Sequence, residues 1–385
     1  MEIKNLKKAS QRILKAIQDK ERIIIYGDAD LDGSASVVML KETIENLGGK
    51  VSSVYFVDRG KEGYGINEKA LNILKPLAPA LFITLDLGVT SFKETDTANQ
   101  MGFEVIIIDH HQVLDSLPKA SIIIDPKQKK DNYPFKDLAT VGVVYRLARL
   151  MFGNKMSEEM NNSLLELTAL ATIADMMPKE KENKEYIRKG LQSLRNTQRI
   201  GLKIFFKLPF LKRMKEGERI QRLVSILNVS QIKRHLTEAY LFLISQDEEE
   251  VEELRDSLLE RSRQRKELIK EVVKEVEGKI NEEVPSVIFE GDVGWPNTLV
   301  GTIASRVCNK YKRPTFIYRK MKEESVGSVR MPAGLDAVKA MKTCEKLLIT
   351  FGGHAPAAGF RLKNKNLKEF QKCLIEYFEP CVIIK

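Results

Sequence analysis

Acidic residues and histidines lie just past apolar, β-prone stretches at four places in the chain. These stretches are RIIIY, ALFITL, EVIII and LTALATI. The residues that follow them are Asp28, Asp30 and Asp32, then Asp86, then Asp109, His110 and His111, and last Asp175. In an open α/β sheet the carboxyl ends of parallel strands share one edge, where ligands bind. We therefore expect these side chains to converge.

A cluster of this kind requires a cation. Several carboxylates placed together repel one another strongly at neutral pH unless positive charge neutralises them. Carboxylate oxygens combined with imidazole nitrogens suit Mn²⁺ or Mg²⁺ better than zinc, which favours thiolate-rich sites. The residue types therefore predict a divalent-metal site for phosphoryl chemistry.

The first part of the chain alternates strand and helix patterns. Apolar, β-branched runs predict strands at about 22–27, 51–57, 81–86, 104–108 and 121–124. Helical patterns such as SASVVMLKETIENLG and NEKALNILKPLA lie between them. This alternation predicts an α/β fold with a doubly wound parallel sheet. From about residue 136 to 245 the pattern becomes mainly helical, and it includes NNSLLELTALATIADMM.

A long charged segment separates this part from a second, smaller α/β part. Residues 247–280 contain no proline and predict one connecting helix. Beyond Pro285, the runs SVIFEG, TFIYR and GSVRM predict strands, and LVGTIASRVCNKY and DAVKAMKTCEKLL predict helices. We therefore divide the chain into residues 1–245, 246–282 and 283–385.

Composition limits the class of protein and its partners. The chain has 385 residues, of which 43% are hydrophobic and 30% charged, as in a globular protein. It has no apolar stretch of about 20 residues and no signal-peptide core at its start, so we expect a cytoplasmic protein without membrane contacts. The net charge of +10 fits a groove for a polyanion, although a solvated lysine-rich surface explains it equally well.

The cysteines show no metal-binding or redox spacing. The chain has 4 of them and no Cys-x-x-Cys pair. We therefore predict that they are reduced packing residues: Cys308, Cys344, Cys373 and Cys381.

The motifs resemble those of a known superfamily. GDADLDGSAS, LDLGVTS, DHH and TIADMMP, in this order, resemble the four motifs of the DHH phosphoesterases. IIIDPKQKKDNYPFKDLATVGVVYRLARL, GWPNTLVGTIASR, SVGSVRMPAG and FGGHAPAAGF resemble stretches of the RecJ nucleases within that superfamily. The resemblance implies a DHH catalytic domain over residues 1–245 and a DHH-associated, substrate-binding domain over residues 283–385, joined by the connecting helix over residues 246–282.

The resemblance also implies which residues bind metal. One ion would take Asp30 and Asp86, and the other would take Asp32, Asp86, His110 and Asp175. Asp86 would thus bridge two Mn²⁺ or Mg²⁺ ions, which lie about 3.5 to 4 Å apart in two-metal hydrolases. Together with Asp86 we regard His111 as catalytic, because it would face the scissile phosphate or orient a neighbouring carboxylate.

The chain departs from the superfamily pattern at one ligand position. Many members have a histidine four residues before the first matching aspartate, and this chain has Tyr26 there. Tyrosine is a poor ligand at its usual pKa. Either Asp28 supplies the missing ligand or the first ion binds more weakly. A capping or turn role beside Gly27 is the alternative for Asp28.

The C-terminal part contains the residues that the resemblance assigns to substrate binding. They are Ser305, Arg306, Ser328, Arg330, Gly352, Gly353 and His354. Glycines allow backbone N–H groups to approach an anionic oxygen, and arginine binds phosphate through two parallel hydrogen bonds. Without the resemblance, the glycine run indicates a tight loop between a helix and a strand.

The resemblance implies a single-strand-specific exonuclease that releases mononucleotides from DNA, RNA or both. A phosphodiesterase for nanoRNA, cyclic dinucleotides or nucleotide bisphosphates would share the metal motifs. A replisome-associated factor that binds a partner such as GINS is a further alternative. Because the chain ends soon after its second α/β part, we expect a core-only form without an OB-fold, similar to archaeal RecJ-like proteins.

Overall fold

The computed structural model describes residues 2–280 and 284–382. A parallel sheet forms the centre of the first part of the chain, in the order β2-β1-β3-β4-β5. The five strands predicted there are confirmed. They are β1 (Ile23–Gly27), β2 (Val51–Phe56), β3 (Ala80–Leu85), β4 (Phe103–Ile108) and β5 (Ile122–Ile124). Two short strands, β6 (Ile232–Lys233) and β7 (Leu236–Thr237), pair separately.

Helices cover the sheet and fill the rest of this part. They are α1 (Leu6–Gln18), α2 (Leu31–Asn46), α3 (Glu68–Leu74), α4 (Phe92–Gln100), α5 (Thr140–Phe152), α6 (Glu158–Ala174), α7 (Lys181–Leu194), α8 (Ile200–Phe206), α9 (Glu216–Leu227) and α10 (Glu238–Ile244). Side chains alternate along each strand between two cores, so Ile23 and Ile25 pack in one, and Ile24 and Tyr26 in the other. This arrangement confirms the doubly wound α/β fold.

One of the four apolar runs is helical and not a strand. The run LTALATI belongs to α6, so Asp175 follows the carboxyl end of a helix. The side chains from Leu164 to Ile173 are all buried. Burial on every side gives a continuous apolar run, which does not distinguish a strand from a core helix.

The predicted long helix is confirmed as α11 (Glu248–Lys279). The chain divides within it into two compact units, residues 1–262 and 263–385. The bounds of the connecting segment, 246–282, remain a prediction, and residues 281–283 lie outside the described residues.

The second unit contains a mixed five-stranded sheet in the order β11-β12-β10-β9-β8. Its strands are β8 (Ile288–Asp292), β9 (Thr315–Lys320), β10 (Glu324–Arg330), β11 (Leu348–His354) and β12 (Ala357–Lys363). Its helices are α12 (Asn297–Tyr311), α13 (Ala337–Thr343) and α14 (Leu367–Val382). Only β8 and β9 run parallel among the pairs of this sheet in the described residues.

Two expectations for the second unit are wrong. Gly352, Gly353 and His354 end strand β11, which pairs with β12, so they do not form a loop between a helix and a strand. Cys344 and Cys373 form a disulfide between α13 and α14. Cys308 is buried and free, as predicted. The side chain of Cys381 lies outside the described residues.

Candidate metal centre

The first acidic motif forms the loop between β1 and α2. Asp28 follows β1 and is fully buried. Asp30 caps α2, since its Oδ1 accepts the N–H of Gly33 at 3.1 Å. Asp32 lies in the first turn of α2 and is buried. The strand and the helix start thus hold three carboxylates at the carboxyl edge of the sheet.

The amino end of α5 holds two of the carboxylates in place. The backbone N–H groups of Thr140 and Val141 donate to Asp32 at 2.7 and 3.0 Å. The hydroxyl of Thr140 donates to Oδ1 of Asp86 at 2.9 Å. A helix amino end stabilises negative charge, and so this contact favours the ionised form of Asp32.

Asp86 lies at the centre of the cluster. It follows β3, and β1 and β3 are the neighbouring strands at which the strand order reverses, where open α/β sheets bind ligands. Its backbone has a φ of 64°, a left-handed conformation that costs a non-glycine residue energy and is found at functional sites. Its N–H donates to the carbonyl of Ile108 on the neighbouring strand at 3.0 Å.

The imidazole of His110 lies between the carboxylates of Asp86 and Asp175. Its Nε2 lies 3.4 Å from Oδ1 of Asp86 and 3.5 Å from Oδ2 of Asp175. Oδ2 of Asp175 is buried without a hydrogen-bond partner. A buried carboxylate oxygen of this kind is costly unless a proton or a cation satisfies it. The orphaned oxygen beside an imidazole nitrogen therefore fits a metal ion.

The predicted ligands form groups whose ligand atoms lie within 4.8 Å of one another. These groups are Asp28, Asp30 and Asp86; Asp32, His110 and Asp175; and Asp86, His110 and His111. Asp86 belongs to two groups, which fits a carboxylate shared between two ions. The oxygen and imidazole donors suit Mn²⁺ or Mg²⁺.

Burial and mutual repulsion raise the pKa of the clustered acids. Burial, with the charge of Asp30 in addition, raises the pKa of Asp28 to about 6. Burial likewise raises the pKa of Asp175 to about 6. Burial and neighbouring carboxylates raise the pKa values of Asp32 and Asp86 well above their usual range. The carboxylates of the cluster therefore outweigh the positive charge around them, and a divalent ion would supply more.

The two histidines differ in charge and environment. Burial, together with the charge of His111, lowers the pKa of His110 to about 4, so its imidazole is neutral, as a metal ligand must be. Burial also acts to lower the pKa of His111, but the hydrogen bond to Asp109 outweighs it and raises that pKa above its usual value. Oδ1 of Asp109 lies 2.7 Å from Nδ1 of His111, and the hydroxyl of Tyr64 lies 3.3 Å from the same ring.

Tyr26 cannot serve as a ligand in this arrangement. Its ring stacks on Tyr55 at 5.4 Å in the apolar core. Its hydroxyl donates to the carbonyl of Gly65 at 3.1 Å and accepts from Asn67 at 3.0 Å. Asp28 lies with the other acids instead, and it also accepts the N–H of Asp30 at 3.2 Å, as a turn residue would.

An arginine outside the four acidic and histidine motifs contacts the same acids. Arg59 donates from Nε to Oδ1 of Asp28 at 2.6 Å, and its Nη2 contacts Asp28 and, at 3.3 Å, Asp30. It lies in the segment that follows β2. The carboxyl end of β2 lies at the same sheet edge as the acids. The position of Arg59 just after a predicted strand is therefore the sequence feature that indicates its place at this edge.

The candidates in the second unit converge across three strands. In the sheet, Ser328 of β10 and Gly352 of β11 both pair with Gly359 of β12. Arg330 and His354 pair likewise with Ala357. Gly353 has a φ of 136°, which favours glycine.

Helix α12 contributes the two remaining candidates. Ser305 is half-buried and Arg306 is exposed on α12, which packs against β9 and β10. A Cβ atom at Gly301 of the same helix would lie 3.2 Å from Nη2 of Arg330 and 3.4 Å from Oγ of Ser328. This glycine therefore leaves room for both side chains beneath the helix.

Replacing Thr140 by valine should weaken Mn²⁺ binding about tenfold, since side chains that orient metal ligands typically contribute that much affinity. The change keeps the shape of the side chain and removes the hydrogen bond to Asp86. Thr140→Ser keeps the hydroxyl and should bind Mn²⁺ almost as tightly as the unchanged chain. Isothermal titration calorimetry measures the difference, and equal affinities of the valine and serine variants would refute this role.

Each of the two units matches a known domain family. Residues 22–172 match the DHH family, N-terminal domain, and residues 284–379 match the DHHA1 domain. The chain therefore contains a DHH-family N-terminal domain and a DHHA1 domain. The curated relatives that it resembles include RecJ exonucleases.

The single-stranded-DNA-specific exonuclease RecJ of Bacillus subtilis (strain 168) is 34% identical over 382 residues. The alignment covers 97% of this chain and 48% of that protein. RecJ of Escherichia coli (strain K12) is 26% identical over 99% of this chain and 71% of its own length. The chain thus spans about half the length of the first of these relatives.

Solved structures share the fold. The crystal structure of exonuclease RecJ bound to manganese has a TM-score of 0.80 at 24% identity, covering 98% of this chain and 95% of that one. RecJ in complex with Mn²⁺ from Thermus thermophilus has a TM-score of 0.83 at 22% identity, covering 99% of this chain and 55% of that one.

In the part of this chain that the structure describes, no helix combines the length and hydropathy needed to cross a bilayer.

Proposed function

We propose that the chain is a metal-dependent exonuclease that hydrolyses single-stranded DNA, RNA or both to mononucleotides. The observation that carries this proposal is the sharing of Asp86 between two groups of ligand atoms at the carboxyl edge of the sheet. Its RecJ relatives are named as single-stranded-DNA-specific exonucleases, which supports the choice of substrate. The net charge of +10 favours a polyanion as well.

Each cluster residue has a role in this proposal. Asp28, Asp30 and Asp86 would hold the first ion, and Asp32, His110 and Asp175 would hold the second. Asp86, whose Oδ1 lies 3.4 Å from Nε2 of His110, would complete the second set as the shared carboxylate. When bound, Mn²⁺ or Mg²⁺ ions would activate water and neutralise charge on the phosphate. His111 would contact the scissile phosphate, a role supported by its 41% exposure and by its contact with Asp109. Its raised pKa favours the protonated form, which binds an anionic oxygen.

The strand residues of the second unit are the proposed phosphate-binding group. Arg330 of β10 is half-buried beneath α12, and Gly352, Gly353 and His354 are exposed at the end of β11, on the far side of β12. Exposed backbone at two glycines allows an anionic oxygen close approach, and the guanidinium adds charge. Ser305, Arg306 and Ser328 would complete this group.

Mn²⁺ should raise the melting temperature more at pH 8 than at pH 5. Folding raises the pKa values of Asp28 and Asp175 to about 6, so their ionisation costs the metal-free fold stability above that pH. The same cost is absent below about pH 4, where both carboxyls are protonated in either state. At pH 8 the ionised carboxylates bind the ion, whereas at pH 5 protons compete with it.

Calorimetric melting at both pH values, with Mn²⁺ and with chelator, measures this effect. An ion at a hundredfold excess over its Kd adds about 2.7 kcal/mol to the free energy of unfolding per site. An equal rise in melting temperature at both pH values would contradict the assignment of these carboxylates as ligands.

Strand length separates the exonuclease from a small-substrate phosphodiesterase. Labelled single strands of increasing length should be degraded at similar rates, because a single-strand groove binds about 4 to 16 nucleotides. A phosphodiesterase for nanoRNA or cyclic dinucleotides would lose activity beyond about five nucleotides, near the lower end of that range. Such a loss would overturn the exonuclease proposal in favour of this alternative.

A replication partner such as GINS is a separate proposal that coexists with catalysis. CDC45 from Entamoeba histolytica has a similar fold, with a TM-score of 0.52 at 12% identity. A pull-down from replication extracts with the unchanged chain and with Asp86→Asn would test it. Equal capture of GINS by both proteins would support partner binding, and the absence of GINS from both would refute it.

A further inference from the structure

Arg59 contacts two of the three carboxylates in the group proposed for the first ion, which consists of Asp28, Asp30 and Asp86. Its Nε and Nη2 donate to the two oxygens of Asp28, so both oxygens of this fully buried carboxylate are engaged. Nη2 also lies 3.3 Å from Oδ2 of Asp30. A bidentate arginine–carboxylate pair is among the strong ion pairs of proteins.

The loop that carries Arg59 is anchored to the fold. Glu62 accepts the backbone N–H of Asp58 at 2.9 Å and the hydroxyl of Tyr55 at 2.7 Å. The guanidinium lies 4.9 Å from the centre of the Tyr64 ring, which adds a cation–π contact. Its side chain nevertheless remains 44% exposed, so it has open space into which it can move.

The other group of ligands is open by comparison. Asp32 accepts two backbone N–H groups, which are neutral donors. Oδ2 of Asp175 is buried without a hydrogen-bond partner. An ion that enters this group satisfies an orphaned oxygen, whereas an ion that enters the first group must break an existing pair.

We propose that Arg59 is a built-in counter-cation of the first group, which competes with the first ion for Asp28 and Asp30. The chain therefore binds its two ions with unequal affinity, and the ion at Asp32, His110 and Asp175 binds first. The ion at Asp28 and Asp30 binds only when the guanidinium leaves their oxygens. This inference rests on the proposed two-ion function. It describes what controls binding of the first ion in a chain that has Tyr26 at the usual histidine position.

Electron paramagnetic resonance of free Mn²⁺ during a titration of the metal-free chain of 385 residues measures both dissociation constants without nucleic acid. The unchanged chain should bind one ion tightly and one ion weakly. Arg59→Gln should tighten the weak ion about tenfold, because loss of a competing positive charge favours the cation. An unchanged or weakened second Kd in Arg59→Gln would overturn the proposal, and so would two equally tight ions in the unchanged chain.

Lys61→Gln is the matched control. Lys61 lies on the same loop, is 81% exposed and pairs with Asp58 at 3.1 Å. Its replacement removes one positive charge near the cluster without touching Asp28 or Asp30. The weak Kd should change less than about twofold, since solvent and salt screen an exposed charge. A tightening equal to that of Arg59→Gln would show that net charge, and not direct competition, is responsible.

Arg59→Lys covers the case in which Arg59→Gln does not fold. It keeps the charge but loses the bidentate contact, so it should tighten the weak ion about threefold, less than the glutamine variant. No change in this variant would also overturn the proposal.

Strand hydrolysis is measured separately. Two-ion binding without hydrolysis refutes the exonuclease function alone, and hydrolysis with an unaltered weak Kd in Arg59→Gln refutes the Arg59 proposal alone.

Discussion

Asp86→Asn should abolish metal-dependent hydrolysis, with a loss of at least about a thousandfold in rate. In the proposed site Asp86 is the carboxylate that both ions would share, and the amide of asparagine offers neither its charge nor a second equivalent oxygen. The replacement keeps the volume of the side chain. It also keeps an oxygen that accepts the hydroxyl of Thr140, so the fold should persist.

Mn²⁺ titration and strand hydrolysis on the same preparation check this prediction. Both ions should be lost together, in contrast to a change at Asp175, which should affect only one. Asp115→Asn is the control, because Asp115 is fully exposed in the loop after the histidine motif and pairs with Lys129 at the surface. Near-normal hydrolysis by Asp86→Asn would refute the shared-ligand role.

Gly33→Ala should destabilise the fold by about 2 to 3 kcal/mol and weaken ion binding, because overpacking a tight contact forces backbone shifts. A Cβ at Gly33 would lie 2.2 Å from the backbone oxygen of Asp28. The first turn of α2 rests on that carbonyl, and Asp30 caps the helix through the N–H of Gly33. Separation of these two segments would move the carboxylates apart.

Gly217→Ala in α9 is the matched control for that change. Nothing lies within 4 Å of a Cβ at Gly217, so alanine should be neutral or should stabilise the helix by about 0.5 to 1 kcal/mol. Urea unfolding measures both variants, and Mn²⁺ titration measures the site. Equal stability and equal Mn²⁺ affinity of the Gly33→Ala variant and the unchanged chain would contradict the close contact between α2 and the Asp28 carbonyl.

The ligand cluster could be predicted because it depends on topology. Parallel strands bring their carboxyl ends to one edge, so Asp28, Asp86 and His110 follow strands that the apolar runs alone locate. Asp175 joins the cluster although it follows no strand, since its apolar run belongs to helix α6, as the helical pattern from about residue 136 to 245 predicts. Burial on all sides conceals helical periodicity, and only the longer pattern NNSLLELTALATIADMM indicates the helix.

The supporting residues could not be predicted in the same way. Thr140 reaches Asp86 across 54 positions of sequence, and Arg59 reaches Asp28 across 31. The first contact depends on how α5 packs against the sheet, and the second on how the segment after β2 folds. No motif in the sequence indicates either arrangement. The tight loop expected at the glycine run of β11 is wrong for a different reason. Glycine favours turns by composition, whereas here its neighbours in β12 impose a strand.

Digestion of single-stranded DNA and RNA, labelled at the 5′ or the 3′ end, is the decisive test of the proposed exonuclease. We expect mononucleotides to appear from one end of the strand with Mn²⁺ or Mg²⁺, chelator to stop their release and duplex ends to resist digestion. The Asp86→Asn variant should release none. Internal cleavage, release in the presence of chelator or equal digestion of duplex substrates would contradict a metal-dependent, single-strand-specific exonuclease.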